Sequence, residues 1–427
     1  MQQSASGTHV NGSDQGKLRA HISAAAPNGL RAVDDVSSGA GWGRAGGGSR
    51  DYHSGQDGAR GHGGWPEPPA VVYSCHMNEF SDGTGRADID HALTRTLHRR
   101  AVVQGSITLP AVPAMLEDYV TLCLSTFAAL SVDFDDEQRR QLRDTLRDQL
   151  DQAFAGSPRS SIVITYDIPV GTLVNYHVRP EWTSIESTYD AWVATRQPPY
   201  FGSEPDARVW ALAGEYPDPK ACPVLDIGAG TGRNSLALAR RGHPVDALEL
   251  SGSFADVLRE QARAESLGIR VIQRDLFTAH DYLPGDYGLV VVSEVVTDFR
   301  SPEDLRRLFE LAVSCLFVGG HLVVNMFVAR ASFEPGDAAR QMGQQTFSSM
   351  FTQDEVDAAS DGLPLELVDV TGVYDYEHAH LPPESWPPTG WYEGWVLGQD
   401  VFALGRAEQP IEMRWLVYRR ASDDEIR

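Results

Sequence analysis

The stretch Val224-Leu225-Asp226-Ile227-Gly228-Ala229-Gly230-Thr231-Gly232 decides the fold of this 427-residue chain. Its apolar first half is typical of a short β-strand. The three glycines that follow predict a sharp turn, because glycine alone reaches positive φ without a clash of its Cβ. Residues 233–241 have the pattern of a helix that stops at Gly242, so the turn leads into a helix N-terminus.

A second apolar segment, residues 245–249, ends in Glu249, 17 positions after Gly232. A carboxylate at the end of a second strand can accept hydrogen bonds from both hydroxyls of a ribose. At the preceding helix N-terminus, backbone N–H groups and the positive end of the helix dipole face any bound group. Together these features predict a site for a nucleotide-containing cofactor.

Two cofactor classes compete for this site. A dinucleotide-binding turn has the form G-x-G-x-x-G, whereas here Gly228, Gly230 and Gly232 alternate. Arg233 stands where the third glycine of the dinucleotide pattern belongs. The pattern therefore disfavours NAD and leaves an NAD-dependent reductase as a minor alternative.

At these residues the chain resembles the class I S-adenosylmethionine-dependent methyltransferases, whose first motif has the form acidic-x-G-x-G-x-G and whose second strand ends in Asp or Glu. Residues 226–234 are especially similar to the small-molecule subgroup that includes the tellurite-resistance-type enzymes. Residues 271–276, 287–294 and 316–324 match later strands of that family in the same order. The resemblance covers residues 222–327.

The resemblance implies an α/β fold with a Rossmann-like, doubly wound, seven-stranded core and S-adenosyl-L-methionine as the cofactor. Residues 365–370 and 413–418 suit the sixth and seventh strands, which in this family form an antiparallel pair at the sheet edge. The cofactor-binding residues that it implies are Asp226, Gly228, Gly230, Gly232, Asn234, Glu249, Leu250, Asp275, Leu276 and Ser293.

Methyl transfer from a sulfonium centre is an in-line displacement, so most of the acceleration can come from alignment of the acceptor, up to ~7–11 kcal/mol. A general base is needed only where the acceptor loses a proton. Glu294 is the first candidate because it follows the fourth strand, at the rim where open α/β sheets bind ligands. His378 and His380 are further candidates, since histidine titrates near neutral pH. The sequence contains no metal-binding pattern, and we expect no metal.

Residues 371–410 form a long insert before the last strand, broken by Pro382-Pro383 and Pro387-Pro388 and without evident regular structure. Long loops of this kind are more often functional than accidental. Aromatic rings in it could stack on a planar acceptor or face a cationic amine. Packing against the core is the open alternative for each of them. The predicted substrate-binding residues are Trp386, Trp391, Tyr392 and Trp395, together with Tyr200 upstream of the first strand.

We predict three regions along the chain. Residues 1–69 hold 15 of the 40 glycines and few large apolar residues, which predicts a disordered leader. Residues 70–185 contain two amphipathic helical stripes, within 115–127 and 135–154, and a β-hairpin within 161–178, which indicate an α+β accessory domain. Residues 186–427 form the methyltransferase domain. By analogy, the accessory domain shapes the substrate pocket or a homodimer interface.

The net charge of −23 belongs to residues 71–427, because residues 1–70 carry six basic and six acidic side chains. Such a surface repels phosphate backbones and anionic lipids, so we expect neither a nucleic-acid nor a membrane partner. The chain has no span of 18 apolar residues and no secretion signal. The scattered Cys75, Cys123, Cys222 and Cys315 suit a reducing compartment, and we expect a cytoplasmic location.

These patterns predict an S-adenosylmethionine-dependent methyltransferase that acts on oxygen or nitrogen of a small, neutral or cationic metabolite, with secondary metabolism as one setting. A regulatory module that binds the cofactor without turnover is the alternative from another class. The complete set of glycines and acidic residues argues against loss of the cofactor site, but it does not prove that an acceptor exists.

Overall fold

The computed structural model describes residues 85–100, 103–168 and 173–422. The predicted leader, residues 1–69, and Cys75 lie outside the described residues. Contacts divide the described chain into two units, the helix α1 (Gly85–Arg100) and the remaining described residues from Val103 onward. Ile89, Leu93 and Leu97 are spaced four residues apart along α1, and all three are exposed.

The larger unit begins with a small α+β layer, in which α2 and α3 cover a three-stranded antiparallel sheet of order β1-β2-β3. Leu142, Leu146 and Leu150 on α3 are fully buried, so the predicted helical stripe faces the core of this layer. The predicted helices and hairpin strands are confirmed. The elements are β1 (Val103–Pro110), α2 (Leu116–Ala129), α3 (Asp136–Gly156), β2 (Ser161–Ile168) and β3 (Asn175–Glu181).

A sheet of order β10-β11-β8-β7-β4-β5-β6 forms the centre of the larger unit, and the short strand β9 pairs with β8. β4 to β8 run parallel, whereas β11 is antiparallel to both of its neighbours. The predicted seven-stranded sheet and its antiparallel final pair are confirmed. The short strand β9 is an eighth strand that the sequence did not predict. The strands are β4 (Val224–Ile227), β5 (Val245–Glu249), β6 (Ile269–Gln273), β7 (Tyr287–Val292), β8 (Leu316–Ala329), β9 (Met350–Phe351), β10 (Leu365–Gly372) and β11 (Ile411–Arg420).

Helices cover both faces of this sheet because side chains alternate along its strands. Leu225 and Ile227 of β4 join the cluster that contains Leu305 of α8, whereas Val224 joins the cluster that contains Val209 of α5. The helices are α4 (Ile185–Thr195), α5 (Ala207–Gly214), α6 (Arg233–Arg241), α7 (Gly252–Ala264), α8 (Pro302–Cys315), α9 (Asp337–Gln345), α10 (Gln353–Ser360), α11 (Val373–His380) and α12 (Tyr392–Val396).

The expectation that residues 371–410 lack regular structure is wrong, because α11 and α12 lie within them. α11 buries Val373 and Glu377, one turn apart, on its inner face. It ends at His380, and Leu381 is extended before Pro382-Pro383, where the missing N–H and the proline rings prevent continuation of a helix.

The α+β layer contacts the elements around the central sheet through hydrogen bonds that involve the main chain. Ala114 N donates to Gln341 Oε1 at 2.8 Å, and the Arg300 guanidinium donates to Phe154 O at 3.1 Å. The α+β layer and the central sheet belong to the same compact unit of the chain. The predicted boundary near residue 185 stays a prediction. Within the described ranges, no helix is both long enough and apolar enough to cross a membrane.

β4 lies between β5 and β7, so the chain leaves β4 toward one side of the sheet and later returns to its other side. In an open α/β sheet, the carboxyl ends of the strands form a crevice at such a switch point. The predicted cofactor loop, residues 228–232, follows β4 directly and therefore lies at this crevice.

Candidate cofactor and acceptor site

A cavity of about 410 Å³ lies at the carboxyl ends of β4, β5 and β7, a size typical of small-molecule sites. Of the predicted site residues, Gly232, Tyr200, Trp386, Tyr392, His378 and His380 do not line it. Those that the structure brings together in its lining are Asp226, Gly228, Gly230, Asn234, Glu249, Leu250, Asp275, Leu276, Ser293, Glu294, Trp391 and Trp395.

The glycine loop is packed closely on both sides. Gly228, Gly230 and Gly232 have φ values of 69°, 55° and 98°. A Cβ on Gly228 would lie 2.2 Å from Val295 Cγ2, and one on Gly232 would lie 2.3 Å from a methyl carbon of Leu258. The loop thus needs glycine for both conformation and space, which leaves its backbone free to approach a bound group.

Glu249 connects the end of β5 to the glycine loop. Its Oε2 accepts a hydrogen bond from Gly230 N at 2.7 Å, and its Oε1 accepts one from Ser251 N at 2.7 Å. Burial raises the pKa of Glu249, while these backbone donors oppose the shift. A carboxylate has about four acceptor sites, and Leu250 N is the third backbone donor to Glu249, so Glu249 can hold the loop and still accept a ribose hydroxyl.

Two further carboxylates lie on the cofactor side. Asp226 is buried at the end of β4, accepts a hydrogen bond from Ser235 Oγ at 2.6 Å, and has a pKa that burial raises to about 7. Asp275 follows β6 and accepts a hydrogen bond from Phe277 N at 2.7 Å. The fit of a nucleoside cofactor rests on this combination of a tight glycine backbone and acidic strand ends.

Glu294 follows β7 in a left-handed conformation, with φ of 62°, which is uncommon for a residue other than glycine. Its N–H donates to Asn325 Oδ1 at 2.7 Å. Its Oε1 accepts a hydrogen bond from the Arg233 guanidinium at 2.7 Å. Strained backbone of this kind is held in place by its surroundings and is concentrated at functional sites.

Asp206 is the buried centre of the polar cluster behind Glu294. It pairs with the guanidinium of Arg233 at 2.9 Å, and its Oδ2 accepts hydrogen bonds from Asn234 Nδ2 at 2.8 Å and Ser293 Oγ at 2.7 Å. The only sequence signal for Asp206 is its position just before α5, and this signal is weak. Its hydrogen-bonding partners lie 27 to 87 residues away along the chain. Neither Asp206 nor Arg233 is among the predicted site residues.

Charge and burial act in opposite directions in this cluster. Burial raises the pKa of Glu294, and the attraction of Arg233 opposes the increase. Burial alone would lower the pKa of Arg233, but Asp206 and Glu294 outweigh it and raise the pKa, so the guanidinium stays protonated. Glu294 Oε2 has no hydrogen-bond partner within the described part of the chain and can serve a bound molecule.

A group of aromatic rings forms another part of the cavity lining. The centroid of the Trp192 ring lies 5.9 Å from that of Phe347 and 6.2 Å from that of Trp391. The ring centroids of Trp391 and Trp395 are 5.5 Å apart. Trp395 Nε1 donates to Phe347 O at 2.8 Å. We call Trp192, Phe347, Trp391 and Trp395 the aromatic wall. The sequence predicted Trp391 and Trp395 as site residues, but it contains no signal for Phe347.

The structure does not bring the two predicted histidines to the cavity. Both lie on exposed positions of α11. The His378 ring stacks on Tyr374 with centroids 5.7 Å apart, and the His380 ring stacks on Tyr376 at 4.2 Å. Glu294 is therefore the one predicted catalytic residue that lines the cavity.

The remaining predicted substrate residues pack elsewhere. Tyr200 is buried against Phe254, with centroids 6.1 Å apart, while its neighbour Phe201 lines the cavity. Tyr392 is 2% exposed within the core, and Trp386 packs edge-on against it. In the described ranges, no group of three or more His, Cys, Asp or Glu side chains is arranged to hold a metal ion.

With this geometry in place, the chain can be compared with known proteins. Residues 224–320, which run from β4 into β8, match the methyltransferase domain family. The chain thus contains a class I S-adenosylmethionine-dependent methyltransferase domain, with the Rossmann-like fold of that class.

Two curated relatives match short parts of the chain. The Magnesium-protoporphyrin O-methyltransferase of Rhodobacter capsulatus is 31% identical over 94 residues, which are 22% of this chain and 41% of that protein. The Probable S-adenosyl-L-methionine-dependent methyltransferase TehB of Haemophilus influenzae is 32% identical over 111 residues, or 26% and 37% of the two chains. The chain thus spans about two fifths of the length of these relatives.

Among solved structures, the chain matches the geranyl diphosphate C-methyltransferase of Streptomyces coelicolor with a TM-score of 0.41, 17% identity, and coverage of 50% of this chain and 79% of that one. The [4+2]-cyclase SpnF has a TM-score of 0.37, 16% identity, and coverage of 51% and 80%.

Proposed function

We propose that the chain transfers a methyl group from S-adenosylmethionine to an oxygen or nitrogen atom of a small molecule bound in the cavity. The observation that carries this proposal is the placement of Glu249 with the glycine loop, of Glu294, and of the aromatic wall around one cavity. A cofactor site and an acceptor site that share one cavity permit direct transfer between two bound molecules.

The chain's residues divide the cavity into two sides. Glu249, Asp275 and the loop 228–232 would hold the nucleoside part of the cofactor, and the cofactor supplies an electrophilic methyl group. Leu276 and Leu250 add apolar surface on the same side. The aromatic wall excludes water from the other side and offers flat faces for a planar acceptor.

The charge of the lining favours a neutral or cationic acceptor. Six acidic side chains and three guanidinium groups line the cavity. Arg233 is already paired with Asp206 and Glu294, and Asp298 is paired with Arg159. An anionic acceptor would meet this excess of negative charge in a partly dry cavity, where electrostatic repulsion is weakly screened.

Glu294 is the group that would take a proton from the acceptor. Oε1 is occupied by Arg233, which fixes the carboxylate, while Oε2 is open to a hydroxyl or ammonium group. Because burial raises the pKa of Glu294, the carboxylate form appears at a higher pH than for an exposed glutamate. We therefore expect the rate to rise with pH through this raised pKa and then to level off.

The proposed function is tested with S-adenosylmethionine carrying a tritiated methyl group and a panel of catechol, simple phenols and primary amines. We expect label to reach at least one member of the panel. Glu294→Gln should lower kcat by ~10²–10⁴-fold and remove the rising limb of the pH profile, while the Kd of S-adenosylhomocysteine stays the same. Glu310→Gln, in an exposed ion pair with Arg306, is the matched control.

Tight binding of S-adenosylhomocysteine without transfer to any hydroxyl or amine would contradict the proposed function and favour the non-catalytic regulatory module. A setting in secondary metabolism, a homodimer and a cytoplasmic location stay predictions from the sequence.

A further inference from the structure

Arg159 reaches the cavity wall from the α+β layer. It lies in the turn between α3 and β2 and is 7% exposed. Its Nη2 forms an ion pair with Asp298, and its Nη1 donates a hydrogen bond to the main-chain oxygen of Gln344. The guanidinium carbon lies 3.6 Å from the centroid of the Phe347 ring.

The groups that Arg159 contacts belong to the cavity lining. Asp298 and Phe347 both line the cavity, as does Tyr189, whose hydroxyl donates to Asp298 Oδ2 at 2.9 Å. Phe347 has a φ of 57°, an uncommon conformation for an aromatic residue. Its main-chain oxygen accepts a hydrogen bond from Trp395 Nε1. One guanidinium thus fixes the position of a carboxylate, a phenol and a ring.

Stability does not account for this arrangement. A buried ion pair contributes little net free energy of folding, because desolvation of both charges offsets their attraction. Arg159 Nε is also buried without a hydrogen-bond partner among the residues that the structure describes, which adds a further cost. An apolar side chain of similar volume would satisfy packing alone.

Arg159 contacts Asp298 and Phe347 directly, whereas Tyr189, held through Asp298, also packs on Phe254 near Glu249. Asp298 follows β7, and Phe347 follows α9 and joins the aromatic wall. The proposed cofactor groups follow β4, β5 and β6, with the exception of Ser293, which follows β7. A change in Arg159 should therefore affect the acceptor side much more than the cofactor side.

We propose that Arg159 is a positioning residue for the acceptor, and that the α+β layer is part of the acceptor site rather than a separate module. This inference rests on the proposed function. Arginine is required because one planar group makes the ion pair, the main-chain hydrogen bond and the ring contact together. Lysine retains the positive charge but lacks the planar guanidinium with its several fixed N–H donors.

The kinetic test compares Arg159→Lys and Arg159→Met with the unaltered chain, using catechol or the fastest panel member as acceptor. We expect the acceptor KM to rise about tenfold or more in both variants, since small misplacements of bound groups have large effects. The Kd of S-adenosylhomocysteine should stay within about twofold. Arg143→Met, which removes an exposed ion pair with Glu117 in the same layer, should change neither value.

A double-mutant cycle separates failure of this inference from failure of the proposed function. Asp298→Asn combined with Arg159→Met should lower the free energy of unfolding by less than the two single changes added together. Additive effects would overturn the inference even if no acceptor is found. An unchanged acceptor KM in Arg159→Lys would also overturn it, as would parallel losses of acceptor and S-adenosylhomocysteine binding.

Discussion

Gly228 is the residue with the tightest steric constraint in the cofactor loop. It has a φ of 69°, and a Cβ added there would lie only 2.2 Å from Val295 Cγ2. We expect Gly228→Ala to abolish S-adenosylhomocysteine binding in calorimetry, because the loop must shift to admit the methyl group.

Gly319→Ala is the matched control for Gly228→Ala. Gly319 has a φ of 88°, yet a Cβ there would meet no atom within 4 Å, so its substitution brings backbone strain of ~1–3 kcal/mol without a clash. Equal affinity of the unaltered chain and Gly228→Ala for S-adenosylhomocysteine would show that this loop does not contact the cofactor.

At single positions, the sequence was informative wherever function depends on local geometry. The glycines of the loop and Glu249 at the end of its strand could be identified from spacing alone. Asp206 and Arg159 could not, because the fold brings their contact partners together from distant parts of the chain. No periodicity or motif links such residues.

At the level of elements, Glu377 connects α11 to the N-terminus of α5. This fully buried carboxylate accepts hydrogen bonds from Ala207 N at 2.7 Å, Arg208 N at 3.2 Å and Trp415 Nε1 at 2.9 Å. Burial, with a further contribution from Asp206, raises its pKa from 4.5 to about 7. A carboxylate here compensates the free N–H groups and the dipole of α5.

The raised pKa of Glu377 makes stability depend on pH. Folding favours the protonated form, so the contribution of Glu377 is fully present below pH 4.5 and is lost as the pH rises through about 7. Glu377→Gln should therefore flatten the decline in the free energy of unfolding between about pH 5 and 8, measured by urea denaturation. Part of the decline in the free energy of unfolding should remain in Glu377→Gln, because burial also raises the pKa of Asp226. Parallel pH profiles of the two proteins would exclude this role.

The insert contains two tryptophans with different environments. Trp395 is 4% exposed and packs on Phe327, whereas Trp391 is half-buried beside Trp192. Trp395→Ala should cost ~3–5 kcal/mol of stability through the cavity it leaves. Trp391→Ala should instead raise the acceptor KM, by the loss of stacking worth ~1–3 kcal/mol, with a smaller change in melting temperature. Thermal unfolding and acceptor kinetics distinguish the two variants. Equal changes of melting temperature and of acceptor KM in Trp391→Ala and Trp395→Ala would contradict these separate roles.

Element prediction succeeded where periodicity was strong and failed in the insert. The stripe Leu142, Leu146 and Leu150 predicted α3 correctly. α11 and α12 are short, and the polar Glu377 and aromatic-rich composition conceal their buried faces. α11 is stabilised by contacts with α5 and β11, and α12 by burial of Tyr392, Trp395 and Val396 in the apolar cluster; such contacts are not visible in a local window.

At the scale of the whole molecule, the family resemblance located the central sheet and the crevice. Analogy gave the α+β layer a role at the substrate pocket or a homodimer interface, but it named no residue for that role. The α+β layer was predicted as a separate domain with an accessory role. Its Arg159 nevertheless contacts Asp298 and Phe347 in the cavity wall. This contact depends on the packing of the two layers, which composition and spacing do not encode.

The central claim is that this cavity binds S-adenosylmethionine through the end of β5. Calorimetric titration with S-adenosylhomocysteine and, separately, with NAD tests it most directly, on the unaltered chain and on Glu249→Ala and Glu249→Gln. We expect S-adenosylhomocysteine to bind and NAD not to bind. Glu249→Ala should weaken binding by ~1.5–3 kcal/mol through loss of a charge-assisted hydrogen bond, and Glu249→Gln by less. Binding of NAD, or a loss below about 0.5 kcal/mol in Glu249→Ala, would contradict the claim.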